Sequence, residues 1–211
     1  MIERNLNPNL FGIAGNMGSG KSTACEILKE ENIICEILNF STGVKELARD
    51  YFDIPLSGIK DNRKRECYQA VGQKMRHIQM SIDGISDIWI SHTIRKAVDS
   101  DCAYGIGDVR YINEIKAIIE NGGIVVLLTA PQKLLRKRIE KREGKKISDA
   151  KWKKHMSHSS EHDVKSENFW DLLNGRYYDN VIHIRQENDD LKNFKRLLLA
   201  GIKDYVQSDT I

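Results

Sequence analysis

The order of apolar, helical and glycine-rich segments predicts an α/β fold: about five parallel strands in one sheet, helices on both faces making three layers, and a small lid. Three observations carry that expectation. Short apolar runs alternate with segments whose apolar residues recur at helical spacing, the pattern of strand–helix–strand crossovers. A glycine-rich loop lies between the first run and the first helix. No internal repeat, Pro-rich linker or low-complexity block interrupts the 211 residues, so 1–211 is expected to form a single domain.

Asn9 to Ala14 is the first strand candidate, and Lys21 to Glu31 the first helix, with Ala24, Ile27 and Leu28 on one face. Ile33 to Phe40 reads as a second strand closed by Ser41-Thr42-Gly43, and Val44 to Tyr51 as a helix. Helical patterns at Asn62 to Ile82 and Trp89 to Val98 make 40–100 the expected acceptor-binding region. Cys102 to Gly107 is a small-residue strand ending at Asp108. The helix Asn113 to Glu120 stops at Gly122-Gly123, and the strand Ile124 to Ala130 follows. Pro131 opens a basic helix to about Arg142, Gly144 breaks it, and a polar stretch runs to about Lys165, so 136–165 is the lid-like segment. Val181 to Ile184 and a helix from Asp189 to Val206 complete the alternation.

Apolar residues at 40% and charged residues at 30% are an ordinary globular mixture, which excludes a disordered chain. The net charge is only +3, yet ten Lys or Arg stand against three acids between Arg136 and Lys154. A local excess in a near-neutral chain suits a local anionic ligand better than a surface that tracks nucleic acid. Cys25, Cys35, Cys67 and Cys102 are far apart with no Cys-x-x-Cys pair, and no signal-peptide pattern opens the chain. A reducing, cytoplasmic location is expected, the host cytoplasm if the source is viral. No apolar stretch is long enough for a membrane span.

Gly15-Asn16-Met17-Gly18-Ser19-Gly20-Lys21-Ser22 matches G-x-x-x-x-G-K-[ST] in full, between a predicted strand and a predicted helix. Such glycines let successive N–H groups turn around phosphate oxygens, and the next helix adds the positive end of its dipole. These residues and the adjoining Thr23 are the expected ATP site, with Lys21 on the β and γ phosphates and Ser22 on Mg²⁺.

A phosphate loop alone does not select a reaction, so an acceptor site must come from elsewhere. Arg65, Gln69, Gly72 and Arg76 are spaced four, three and four apart on one helix face, with Tyr68, Val71, Met75 and Ile78 on an apolar stripe. Guanidinium groups grip phosphate, amides pair with base edges, and a glycine admits close approach. Asp108 falls at a strand's carboxyl edge, where ligands of open α/β sheets bind. It could hold Mg²⁺ through water, accept a sugar hydroxyl, or simply pair with Arg110; Arg110 could bind the acceptor phosphate, with Glu114 near enough to orient it. Lys45 could face the phosphate loop, and Trp89 could stack on a base or belong to the core. Arg138 and Arg142, four apart on the basic helix, are candidates for neutralising the transferring phosphoryl group, so that Lys21, Asp108, Arg138 and Arg142 form the expected catalytic set. His155, His158 and His162 have no carboxylate or cysteine to complete a zinc pattern.

In this order the pieces resemble the phage-type deoxynucleoside monophosphate kinases of the P-loop nucleoside monophosphate kinase superfamily. The resemblance rests on Gly15 to Ser22, Phe40-Ser41 through Lys45, Arg65 to Gly72, Asp108-Val109-Arg110-Tyr111-Ile112-Asn113-Glu114 followed by Gly122-Gly123, and His158-Ser159-Ser160-Glu161. It implies the three-layer P-loop NTPase fold and transfer of the γ-phosphoryl of ATP, with Mg²⁺, to a deoxynucleoside monophosphate. Arg65, Gly72, Trp89, Asp108, Arg110 and Glu114 would then line the acceptor pocket, with His158 to Glu161 near the closing segment; Ser41, Lys45, Gln69, Ser160 and Glu161 complete the expected substrate-binding set. Glu66 and Gln73 stand where the family often has a basic residue and a threonine, which leaves base selectivity open. The expected partners are ATP and the monophosphate, with a homodimer a further possibility and neither membrane nor nucleic acid among them. Rival readings are another small-molecule P-loop kinase, dephospho-coenzyme A kinase foremost, and a non-catalytic or nucleic-acid-binding NTPase.

Overall fold

The computed structural model describes residues 9–53, 67–68, 70–72, 74–75, 87–98, 100–157 and 177–208. Five strands, β1 (Leu10–Gly15), β2 (Glu36–Leu38), β3 (Tyr104–Val109), β4 (Ile124–Thr129) and β5 (Val181–Arg185), form one sheet in the order β2-β3-β1-β4-β5. Every neighbouring pair is parallel. The helices are α1 (Lys21–Glu30), α2 (Ser41–Phe52), α3 (Ile88–Val98), α4 (Ile112–Glu120), α5 (Gln132–Glu143), α6 (Asp149–Met156) and α7 (Leu191–Ser208). The described residues at 67–75 are helical as well. The predicted five-stranded parallel α/β fold is the observed one.

Strand alternation explains the layers. Along β1, Leu10 and Ala14 face a core shared with Ile90 and Ile94 of α3 and Ile115 and Ile118 of α4. Phe11 and Ile13 face the opposite core, with Ala24, Ile27 and Leu28 of α1 and Phe194, Leu198 and Ile202 of α7. β4 divides in the same way, Val125 and Leu127 to one side and Ile124, Val126 and Leu128 to the other. A strand covered on both faces has no polar side to present, which is why β4 is unbroken apolar sequence from Ile124 to Leu128.

Several element boundaries shift from the sequence reading. β2 has three residues where Ile33 to Phe40 was expected, because Phe40 already takes helical angles ahead of α2. β3 begins two residues later than expected and includes Asp108. The polar stretch after Gly144 contains α6, whose cap Ser148 accepts a hydrogen bond from Lys151 N at 3.3 Å. The predicted helix Asn62 to Ile82 falls largely outside the described residues, as does the tail of the lid-like segment beyond residue 157.

Cys35 and Cys102 precede β2 and β3 and form a disulfide, with Cα atoms 6.1 Å apart. A separation of 67 residues hides this pairing from the sequence, where the absence of a close cysteine pair suggested reduced thiols. Burial under Gly107 pushes the Cys25 thiol up to about 12, so it acts as a packing group. No helix among the described residues is long and apolar enough to cross a membrane.

Candidate active site

The strand order puts β1 at the centre of the sheet, with the chain passing first to β2 and β3 on one side and then to β4 and β5 on the other. The loop leaving β1 therefore opens where the winding direction reverses, the usual ligand crevice of such sheets. Gly15 closes β1 at φ 146°, and a Cβ there would lie 2.5 Å from the Leu128 carbonyl oxygen and 2.6 Å from Ser19 Oγ. Gly18 has φ 83° and lies against the Leu135 carbonyl of α5, 3.0 Å from where its Cβ would be. Only glycine fits either position. Ser19 N donates to Asn16 O at 3.1 Å and closes the loop into a turn.

Lys21 is 9% exposed, and its ammonium donates to Gly15 O at 2.5 Å and Asn16 O at 3.0 Å. Ser22 and Thr23 are exposed in the first turn of α1. That helix begins after Gly20 with no side-chain cap and no acid in its first turn, so its positive end is not neutralised locally. Ser19 Oγ is buried with no hydrogen-bond partner among the described residues. A phosphate oxygen would satisfy it, so the loop fits a nucleotide phosphate chain on this observation as well as on its motif. Ser22 is an oxygen donor of the kind Mg²⁺ takes, on the helix turn next to Lys21.

Register brings the acceptor candidates to the same edge. Ala14 is opposite Val109, so Gly15 and Arg110 leave neighbouring strands at the same level, and Gly15 is also opposite Leu128 on the other side. Asp108 binds across to β2's exit: Oδ1 accepts from Phe40 N at 2.8 Å and Oδ2 from Ser41 N at 3.1 Å. It thereby satisfies amides at the start of α2 and fixes where Ser41 and the half-buried Lys45 stand. Glu114 is 4% exposed, and its Oε2 accepts from Arg110 N at 2.6 Å and Tyr111 N at 3.0 Å. It holds Arg110 through the backbone and tethers the first turn of α4.

Burial pushes the Glu114 carboxyl up to about 7; the two backbone N–H bonds oppose the rise, and the nearby Asp108 and Asp87 add to it. A carboxyl raised in the folded state keeps its proton while the unfolded chain loses it. The stabilisation from that proton is complete below about pH 4.5 and is lost as pH climbs towards 7. Glu114→Gln, which keeps an acceptor oxygen, should gain on wild type by about 1.4 kcal/mol per pH unit across that window. Urea denaturation from pH 4.5 to 8 measures this, and parallel curves for the two proteins would refute it.

Trp89 is 5% exposed within a cluster that includes Val44 and Val71. Its indole N–H donates to Gly72 O at 3.3 Å, and its ring lies 3.0 Å from where a Cβ on Gly43 would be. The indole thus joins α2, α3 and the helical residues around Gly72 as a packing group. Arg65, Gln69, Ser160 and Glu161 lie outside the described residues, as do Arg76, His158 and His162.

On α5, Arg138 reaches the phosphate loop itself: Nη1 donates to Gly18 O at 3.3 Å and to Gln186 Oε1 at 2.9 Å. Its Nε donates to Asp189 Oδ1 at 2.8 Å and Nη2 to Asn188 O at 3.3 Å. Asp189 is held below the usual carboxylate range by this hydrogen bond. Arg142, one helical turn on, shares the face of Leu135, Arg138 and Ile139 and is exposed. Arg136 points elsewhere, to Glu140, Asp149 and the Ile147 carbonyl, so it fastens α6 to α5. Gln186 and Asp189 were missed in the sequence; the signal that could have found Gln186 is its place one residue beyond β5, at the ligand edge.

A family model described as AAA domain matches residues 12–165, which is well over half of the chain. The chain belongs to the AAA domain family. Among solved structures, a gluconokinase from Sinorhizobium meliloti is 14% identical with a TM-score of 0.55, the alignment covering 97% of this AAA-domain chain and 97% of that one. A Thermus thermophilus protein is 14% identical with a TM-score of 0.51, covering 90% and 95%. These likenesses show a shared fold. No curated protein matches the sequence.

Proposed function

We propose that this AAA-domain protein is an ATP-dependent phosphotransferase whose acceptor is a deoxynucleoside monophosphate. The observation that carries the reading is the alignment of strand exits: Gly15 of the phosphate loop and Arg110 leave adjacent strands at one level. An arginine that leaves the sheet beside a phosphate-binding loop suits a second phosphorylated molecule laid end to end with the first. The fold shared with a gluconokinase supports phosphoryl transfer to a small molecule, and the sequence resemblance supports the nucleotide acceptor.

In this reading Lys21 and the loop amides hold the β and γ phosphates, and Ser22 holds the magnesium ion that comes with the nucleotide. The ion supplies positive charge against the phosphate oxygens. Asp108 keeps α2 docked so that Ser41 and Lys45 face the acceptor side, and its carboxylate, with lone pairs left over, would help hold that ion. Arg110 grips the acceptor phosphate, with Arg65 and Gln69 reading the rest of the acceptor. An acceptor phosphate oxygen forms the new bond to the γ phosphorus while the bond to the ADP oxygen breaks. That oxygen is already ionised, so no strong general base is needed. Arg142, exposed on the loop-facing side of α5, neutralises charge on the moving group.

The test is coupled ADP release with dAMP, dGMP, dCMP and dTMP offered singly, alongside dephospho-coenzyme A and gluconate. Stimulation by at least one deoxynucleoside monophosphate is expected. Stimulation by dephospho-coenzyme A or gluconate alone would overturn the acceptor assignment, and no stimulation by any acceptor would overturn the kinase.

A further inference from the structure

The polar cluster behind the phosphate loop is not explained by either substrate. Gln186 is 4% exposed, 167 residues from its main partner, and donates from Nε2 to Ser19 O at 2.7 Å. Its Oε1 accepts from Arg138, whose other bonds reach Gly18 O, Asp189 and the Asn188 carbonyl. Gln186 is itself held by the sheet, its backbone N–H donating to Thr129 O of β4 at 2.9 Å. Two consecutive carbonyls of the loop, Gly18 and Ser19, are therefore bonded from outside by side chains of two different elements.

A trans peptide unit is planar, with its C=O and N–H directed oppositely. Holding the Ser19 carbonyl on Gln186 turns the Gly20 N–H away from Gln186, and holding the Gly18 carbonyl on Arg138 turns the Ser19 N–H back to Asn16 O, where it closes the turn. Gly20, at φ 94°, has no Cβ to limit its own rotation. The side-chain bonds supply the restraint that the glycines lack.

We infer that Gln186, acting with Arg138, is a positioning residue for the phosphate loop: it presets the amide orientation that receives the nucleotide's phosphates and ties that orientation to α5 and the start of α7. The inference deepens the kinase reading and rests on nucleotide binding at this loop. It also gives Arg138 a task distinct from that of Arg142, since four protein acceptors already share the Arg138 guanidinium.

The test uses the full chain and a fluorescent ADP analogue with Mg²⁺, so that it needs no knowledge of the acceptor. Gln186→Met keeps volume beside Gly20 and Phe194 while removing both polar arms. It should weaken nucleotide binding about 10- to 100-fold, the scale of a small misplacement at a preorganised site. Gln186→Glu keeps an acceptor for Arg138 but cannot donate to Ser19 O, and should also bind more weakly than wild type. Arg138→Met combined with Gln186→Met should lose less than the product of the single losses, because the two side chains hold one loop. In turnover the effect should fall on KM for ATP, with KM for the acceptor within about twofold of wild type. Nucleotide affinity of Gln186→Met and Gln186→Glu equal to wild type, whatever happens to thermal stability, overturns the positioning role and leaves the kinase reading standing. Absence of nucleotide binding by the wild-type protein overturns both.

Discussion

Lys21→Ala is expected to lower kcat by about 10²- to 10³-fold, the effect of removing one preorganised positive donor from developing phosphoryl charge. Lys21 is nine-tenths buried at the foot of the loop, its ammonium bonded to Gly15 O and Asn16 O. Little water competes for it there, which makes its charge more effective than on an exposed lysine. Those same bonds place it before any nucleotide arrives. In the proposed reading the ammonium exchanges these two carbonyls for the β and γ phosphates. Lys21→Arg keeps the charge but carries a planar fork that does not match a point contact between two carbonyls, and should recover little. Steady-state ADP release, with circular dichroism to confirm folding, measures both variants. Turnover of Lys21→Ala within tenfold of wild type would contradict the assignment.

The second large effect belongs to Arg110. Its alanine variant should raise the acceptor's KM by about 10- to 100-fold, since hydrogen bonds to charged groups contribute about 1.5–3 kcal/mol each. KM for ATP should stay close to wild type. The separation is expected because Glu114 bonds the backbone N–H of Arg110, an anchor of the strand exit that truncating the side chain does not remove. Arg110→Lys should sit between the two, keeping charge and losing the two-pronged contact. Equal increases in both KM values would point to a collapsed site and against a phosphate-gripping role.

Much of the fold was legible because its signals are local. A buried parallel strand has to be apolar where both faces are covered, as Ile124 to Leu128 is, and a helix covering one sheet face has to carry a stripe such as Ala24, Ile27 and Leu28. The phosphate loop was legible for a different reason. At Gly15 and Gly18 the backbone angles and the contacts with Leu128 and Leu135 exclude any side chain, so the chemistry is written directly as glycine. Site residues with ordinary identities gave weaker signals. Asp108 and Arg110 stood out because they follow a strand, but nothing in the sequence told whether Asp108 would face a ligand or the amides of Phe40 and Ser41.

The sequence by itself determined the phosphate loop, the strand–helix alternation and the edge of the sheet to which the candidate site residues belong, since each follows from residues within one or two turns of chain. Tertiary structure alone decided the partners: Arg138 with Gln186 and Asp189, Trp89 with Gly72, Cys35 with Cys102, and the order β2-β3-β1-β4-β5 that sets Arg110 beside Gly15. The reason is physical. A guanidinium or an indole bonds whatever acceptor lies within about 3 Å, and which acceptor that is depends on how strands far apart in the chain come to lie side by side.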